Sequence, residues 1–360
     1  MTAERLVIKV GTNVLTQQNQ QLDYNVIHQI VEQVGVLRRQ GHRVALVTSG
    51  AAGASYGLGN FSGEKKSLVR FQMMTAAGQP RLMQIYADFF REQNITIAQA
   101  LLTRSDFGNR ERYLNIRNVL EGLLTMDILP IVNENDVVTT EALTFGDNDF
   151  LSAAVASTIG ATRVFLLTNA DGFYEGGDPA TNPGSRKLGE VSHITPQMWA
   201  ACEETLSTGG RGGMLSKLKA VDMITSFGIE AHIASGKEPG VVPAIMGGAS
   251  LGSRFLPRQK RLKGYRQWLK FGAVTTGRVF VDDGAQRALA NNKSLLPAGI
   301  RRVEGNFLQG AIVEILSQDD EKLGVGLVNF SSSDLAELVD GRRSPTRSQE
   351  AIHRDRLLLG

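Results

Sequence analysis

Residues 131–151 read I-V-N-E-N-D-V-V-T-T-E-A-L-T-F-G-D-N-D-F-L and concentrate the polar chemistry of the chain. A strand predicted over residues 128–132 runs straight into Asn133, Glu134, Asn135 and Asp136. Phe145-Gly146-Asp147-Asn148-Asp149 follows, and then an apolar helix over 151–159. Carboxylates and amides at the carboxyl end of a strand, and again at a helix start, stand where open α/β sheets bind ligands. A helix N-terminus attracts anions, so carboxylates packed there need a cation or an amine to hold. Asp and Asn are also ordinary helix caps. A cap explains one such residue; two dense clusters point to a site, because these groups are rarely buried unpaired.

The cations sit elsewhere in the chain. Lys9 closes an apolar strand pattern over residues 6–10, and a buried lysine must find a partner for its charge. Lys217 follows the Gly-rich run S-T-G-G-R-G-G-M-L-S of residues 207–216. Ser49-Gly50-Ala51-Ala52-Gly53-Ala54 joins a strand to a helix with small residues that leave backbone N–H groups open to an anion. Tight turns want small residues too, and neither G-x-x-x-x-G-K-[ST] nor G-x-G-x-x-G is present. Two lysines and two Gly-rich loops suit a polyphosphate; Asp136, Asn148 and Asp149 suit an amine-bearing substrate. Phosphoryl transfer needs positioning and charge neutralisation above all. Lysines bridging the migrating phosphoryl group supply the second, and Asp149 between them would hold both ammonium groups. An acceptor that is already ionised needs no base, in keeping with the absence of an evident catalytic His. Mg²⁺ keeps several waters and binds through substrate phosphates, so no protein ligands for it are read here.

Elements must bring these groups together. Asp23 caps a helix whose Val26, Ile27, Ile30, Val31, Val34 and Leu37 share one face. Strands are read at 43–48, 95–101, 163–168 and 230–234, and helices at 68–93, 112–124 and 217 onward. The 68–93 helix is expected to break at Gly78-Gln79-Pro80. Residues 176–186, with Asp178-Pro179 and Asn182-Pro183, read as loop. This alternation predicts a doubly wound, mainly parallel sheet sandwiched by helices.

A length of 360 residues suits two domains. Residues 1–250 form the expected catalytic domain. Over 251–273 every charged residue is basic, which marks a linker; such a run is either a solvated face or an RNA contact. Residues 274–360 read as a small β-rich domain with strands at 277–282 and 310–316, an alternating stretch at 322–330 and a helix at 285–291. The net charge of +3 decides nothing about nucleic acid. A single cysteine, Cys202, excludes an internal disulfide. The five histidines show no metal spacing. With no apolar run long enough to span a bilayer and no signal peptide, a cytoplasmic location is expected, without membrane contact.

The chain resembles the amino acid kinase family. The stretches that carry the resemblance are V-I-K-V-G-T at 7–12, V-T-S-G-A at 47–51, Gly78-Gln79, Leu114-Asn115, N-E-N-D at 133–136, F-G-D-N-D at 145–149, and Gly212-Gly213-Met214 with Lys217. The tail, K-S-L-L-P-A-G at 293–299 and I-H-R-D at 352–355, resembles a PUA barrel. The resemblance implies ATP-dependent phosphorylation of the γ-carboxylate of L-glutamate to L-glutamyl 5-phosphate, the first step of proline synthesis, with Mg²⁺. It implies phosphate contacts from Lys9 and Lys217, organised by Asp149, and glutamate held by Ser49, Asp136 and Asn148. Nucleotide contacts are implied for Lys9, Thr168, Asn169, Arg211, Gly212, Gly213, Met214, Leu215, Ser216 and Lys217. It further implies proline as feedback inhibitor, a homodimer or tetramer, hand-off to glutamate-5-semialdehyde dehydrogenase, and RNA as a partner of the C-terminal domain. The family usually has Thr-Asp where this chain has Thr168-Asn169, and Thr where it has Arg211. Both departures fall on the nucleotide side. Aspartate, carbamate and nucleoside monophosphates remain alternative acceptors, and RNA binding the alternative function.

Overall fold

The computed structural model describes residues 2–58, 67–139, 147–177, 179–207, 213–258, 269, 275–342 and 350–359. Chain contacts divide it into two compact units. The first comprises Met1–Arg104 with Leu114–Arg261, the second Ser105–Tyr113 with Leu262–Gly360.

In chain order the larger part runs β1 (Arg5–Val10), α1 (Thr12–Leu15), α2 (Tyr24–Arg39), β2 (Arg43–Val47), α3 (Ala51–Ala54), α4 (Leu68–Glu92) and β3 (Ile97–Leu102). Next in the chain come α5 (Arg104–Gly108) and α6 (Arg110–Thr125), of which Ser105–Tyr113 count with the second unit, and the larger part resumes with the rest of α6, β4 (Leu129–Glu134), α7 (Asp147–Thr158) and β5 (Arg163–Thr168). Then come β6 (Phe173–Glu175), β7 (Arg186–Leu188), β8 (Glu190–Val191), α8 (Pro196–Ser207), α9 (Gly213–Ser226), β9 (Glu230–Ser235), α10 (Val241–Met246) and β10 (Ser253–Phe255). Eight strands form one sheet in the order β3-β4-β2-β1-β5-β9-β10-β8. β3, β4, β2, β1, β5 and β9 pair in parallel, so their carboxyl ends share one edge. β10 runs antiparallel to β9.

The pleat decides which groups face which layer. Leu6, Ile8 and Val10 join the core under α2, α4 and α10. Side chains alternate along a strand, so Lys9 leaves on the opposite face. On that face α7 packs across β1, β4 and β5 and against α9. Asp23 caps α2 as expected, accepting from the N–H groups of Asn25 and Val26.

The expected break at Gly78-Gln79-Pro80 does not occur; α4 is continuous through Pro80. Proline forfeits a helical hydrogen bond and crowds the preceding turn. Here Pro80 and Ala76 lie on the exposed side, where a helix curves convex toward solvent and its hydrogen bonds are already the longer ones. Leu82, Ile85, Tyr86 and Phe90 bury the other side. Gly78 sits at the closest approach of α3: a Cβ there would lie 1.8 Å from the Ala51 carbonyl oxygen. Gly78→Ala should therefore cost about 3 kcal/mol or more by overpacking, read as a lowered thermal midpoint; an unchanged midpoint would show that α3 can move aside.

The described residues of 176–185 form the loop read from the sequence, and it closes an antiparallel hairpin between β6 and β7, with only Arg186 belonging to a strand. One reading of the sequence is corrected. Strand β10 lies inside the stretch read as linker. Its Arg254 fails to mark solvated chain because Glu230 accepts from its Nε at 2.9 Å and Nη2 at 2.6 Å. Most of the remaining basic run, 259–268 and 270–274, lies outside the described residues.

The second unit contains β11 (Gly277–Val281), β12 (Ile300–Gly305), β13 (Ile312–Leu316), β14 (Lys322–Leu327) and β15 (Leu357–Leu359) in one sheet, order β12-β11-β13-β14-β15. Its own core contains Val279, Val281, Ile300, Val313, Ile315 and Ile352. Arg278, Arg302 and Lys322 each pair with carboxylates, among them Glu304 and Glu314. Among the described residues no helix is long and apolar enough to cross a membrane.

Candidate active site

Three charged side chains meet at the carboxyl edge of the large sheet. Asp149, in the first turn of α7, lies with Oδ1 2.7 Å from Lys9 Nζ. Its Oδ2 is 3.4 Å from Lys217 Nζ and accepts a 2.6 Å hydrogen bond from the Ser216 hydroxyl. All three side chains are at most 10 % exposed. Lys217 projects from the second turn of α9, and its ammonium donates back to the Gly213 carbonyl at 3.0 Å. Helical side chains lean toward the N-terminus, so a lysine four residues in delivers its charge to the helix start. There it meets the open N–H groups that favour an anion.

The charges tune one another. Burial alone would raise the Asp149 carboxyl. Lys9 and then Lys217, with hydrogen bonds from Lys9 and Ser216, outweigh burial and hold it down at about 2. Burial first and the Lys9 charge second pull the Lys217 ammonium below the ordinary lysine value, against the opposing pull of Asp149. The group is thus a carboxylate clamped by two cations, with net positive charge left over for an incoming phosphate.

Beside it is a web of amides. Asn148 Nδ2 donates to Ser49 Oγ at 2.9 Å and to Asn133 Oδ1 at 3.0 Å. The Glu134 N–H, at the end of β4, donates to Asn133 Oδ1 at 2.9 Å and Asn148 Oδ1 at 3.2 Å. Asn133 Nδ2 donates to Gln79 Oε1 at 2.8 Å. The Glu134 carboxylate accepts from the Thr139 hydroxyl at 2.6 Å. Ser49 is held from below and behind. Thr48 and Tyr86 share a buried 2.8 Å hydrogen bond, and Gly50 takes φ +98° to start α3, a left-handed turn that suits glycine.

Of the residues singled out in the sequence, Lys9, Asp149, Lys217 and Ser216 form the ionic cluster, and Ser49 and Asn148 form the amide web. Asp136 stands two residues beyond β4 in a turn, partly buried. Thr168 ends β5, the neighbour of β1 in the register Val10 with Leu167; Asn169 follows, exposed. Gly213, Met214 and Leu215 make the first turn of α9. Arg211, Gly212, Phe145 and Gly146 lie outside the described residues. Sequence reasoning placed Asn133 and Glu134 in the polar cluster but gave neither a role, and met Gln79 only through the resemblance; all three are buried. Nothing local in the sequence joins Gln79, on α4, to the end of β4.

Among the described residues no three His, Cys, Asp or Glu side chains could together hold a metal ion. The central carboxylate already carries two cations. This donor set fits a divalent ion that arrives on the phosphates of a nucleotide.

Clamped lysines, a helix N-terminus and a web of amides at the carboxyl edge of a parallel sheet have the charge and the donors that phosphoryl transfer requires. The amino acid kinase family matches residues 4–235, and the chain belongs to that family: it is a kinase. The PUA domain matches residues 277–346. Relatives that match it along nearly their whole length bear the name glutamate 5-kinase. The protein from Moorella thermoacetica is 38% identical over 366 residues, covering 99% of this chain and 96% of its own. Those of Cyanothece sp. and Deinococcus radiodurans are 39% and 37% identical, each covering 99% of both chains.

Proposed function

We propose that this kinase transfers the γ-phosphoryl group of ATP to the γ-carboxylate of L-glutamate, yielding L-glutamyl 5-phosphate and ADP. The observation that carries the reading is the Lys9–Asp149–Lys217 cluster set beside the Ser49–Asn148–Asn133 web, in a chain whose full-length relatives bear that name. A carboxylate oxygen of glutamate attacks the phosphorus; the bond to the bridging oxygen of ADP breaks as the new P–O bond forms. The acceptor is ionised at neutral pH and no proton has to move. Lys9 and Lys217 neutralise charge on the phosphoryl oxygens as it passes, and Asp149 keeps both in range. Mg²⁺ would come on the phosphates of ATP and supply further charge neutralisation there. The first turn of α9 (Gly213, Met214, Leu215, Ser216) with Thr168 and Asn169 would receive the nucleotide, together with Arg211 and Gly212. Ser49, Asn148 and Asp136 would hold glutamate.

Purified protein with L-glutamate, Mg-ATP and hydroxylamine should accumulate glutamyl hydroxamate. No hydroxamate, or a faster reaction with aspartate, carbamate or a nucleoside monophosphate, would overturn the assignment. Asp136 is assigned to the α-ammonium group. Asp136→Ala should raise the glutamate KM at least tenfold, the scale of a hydrogen bond to a charged group, and leave the ATP KM alone; an unchanged glutamate KM removes it from the pocket. The reading carries with it a cytoplasmic location, a homo-oligomer and inhibition by proline as end product. It also carries delivery to glutamate-5-semialdehyde dehydrogenase, since an acyl phosphate hydrolyses readily in water.

A further inference from the structure

Gln79 belongs to none of the roles above, yet the amide web ends on it. Its side chain is 8% exposed, its Oε1 accepts from Asn133, and its Nε2 has no hydrogen-bond acceptor among the described residues. The orphan is imposed by the chain of donors rather than by a free choice of rotamer. A backbone N–H can only donate. The Glu134 N–H therefore requires oxygen from both Asn133 and Asn148. With its oxygen so placed, Asn133 points its NH₂ at Gln79, and Gln79 must answer with oxygen. Reversing Gln79 would set NH₂ against NH₂. Buried donors without acceptors are rare because they are costly. A residue retained in that condition points to a constraint other than stability.

Its position is equally constrained. Gln79 follows Gly78, the residue at which α4 touches the backbone of α3, and α3 begins directly after Ser49-Gly50. One end of the web, Ser49, and the other, Gln79, are thus gauged by the same helix contact.

We propose that Gln79 is a positioning residue for the amino acid pocket. Its Oε1 locks the Asn133 amide, and Asn133 in turn holds Asn148 with its NH₂ on Ser49 and its oxygen on the Glu134 N–H. Without Gln79 the Asn133 amide is free to reverse. Asn148 then loses the acceptor that orients it, and the pocket no longer presents one fixed pattern of donors to an amino dicarboxylate. The ionic cluster around Asp149 shares no hydrogen bond with Gln79 among the described residues, so the effect should fall on glutamate rather than on nucleotide.

The inference rests on the glutamate reading, and the test separates the two. Wild-type enzyme is assayed first for glutamyl hydroxamate; its failure there would sink the reading itself. Given an active wild type, Gln79→Met should raise the glutamate KM about tenfold, the worth of one neutral hydrogen bond. The ATP KM should stay within about twofold. Asn133→Ala should do at least as much, and the double variant no more than Asn133→Ala alone, because Gln79 acts through Asn133. Gln79→Glu retains the acceptor oxygen and should lie closer to wild type than Gln79→Met; this arm decides if the Met variant fails to fold. Multiplying effects in the double variant, equal shifts in both KM values, or a Glu variant worse than Met would each overturn the proposal.

Discussion

Asp149→Asn should reduce turnover by at least about a thousandfold and lower the stability of the larger unit by about 3–5 kcal/mol. The first figure is the scale of losing a preorganised electrostatic group at a transition state. The second is the scale of leaving buried charge without its partner. Both follow from geometry in which one carboxylate serves two ammonium groups, at 2.7 and 3.4 Å, all of them at most 10% exposed. Asparagine preserves size and leaves Lys9 and Lys217 facing each other without a counter-charge. The acid response should change as well. The Asp149 carboxyl is held at about 2 in the folded chain, against about 3.9 when unfolded. Its stabilisation is complete above the unfolded value and is lost as pH falls through the folded one. Wild type should lose stability between about pH 4 and pH 2 through this group, and the variant should lack that component. Thermal melts of both proteins across this range provide the check; equal midpoints at pH 7 would refute the clamp.

Lys217→Ala should lower kcat by about 10²–10³ with the fold intact, because Lys9 still pairs with Asp149. Glutamate KM should change little, since Lys217 lies in the ionic cluster and not in the amide web. The pH profile offers an independent reading. Burial, then Lys9, hold the Lys217 ammonium below its ordinary value. The charged form is therefore lost as pH rises, earlier than for a free lysine at about 10.4. Wild-type kcat should fall on an alkaline limb that Lys217→Ala no longer shows. Near-normal kcat in the variant, or an unchanged alkaline limb, would move Lys217 out of the chemistry.

The elements were legible where burial pattern and caps agree. Residues 163–168 form β5 as read, and Asp23 opens the α2 helix with its apolar face inward. The six-residue β12, whose Arg301-Arg302 blurs its apolar pattern, and the eight-residue helix Ser332–Val339 escaped, as did the three-residue β15 and the β6–β7 hairpin. Three-residue strands are too brief for periodicity to register, and their pairing partners lie far off in sequence. Pro80 misled for a different reason. A local rule forecast a break, while burial of one face of α4 and exposure of the other let the helix pass through.

The sequence by itself determined the kinds of group available and the elements that carry them: a lysine closing a buried strand, amides and carboxylates after another, a Gly-rich entry to a helix. It thereby determined the class of chemistry. Only the tertiary structure decided that Lys9 and Lys217, remote in the chain, share Asp149, and that Ser216 binds this carboxylate. Only it revealed that Gln79 ends the amide web. The physical reason is direction. Residue type specifies what a group can donate or accept, but which way an amide faces depends on the neighbour across the fold, here one backbone N–H at the end of β4.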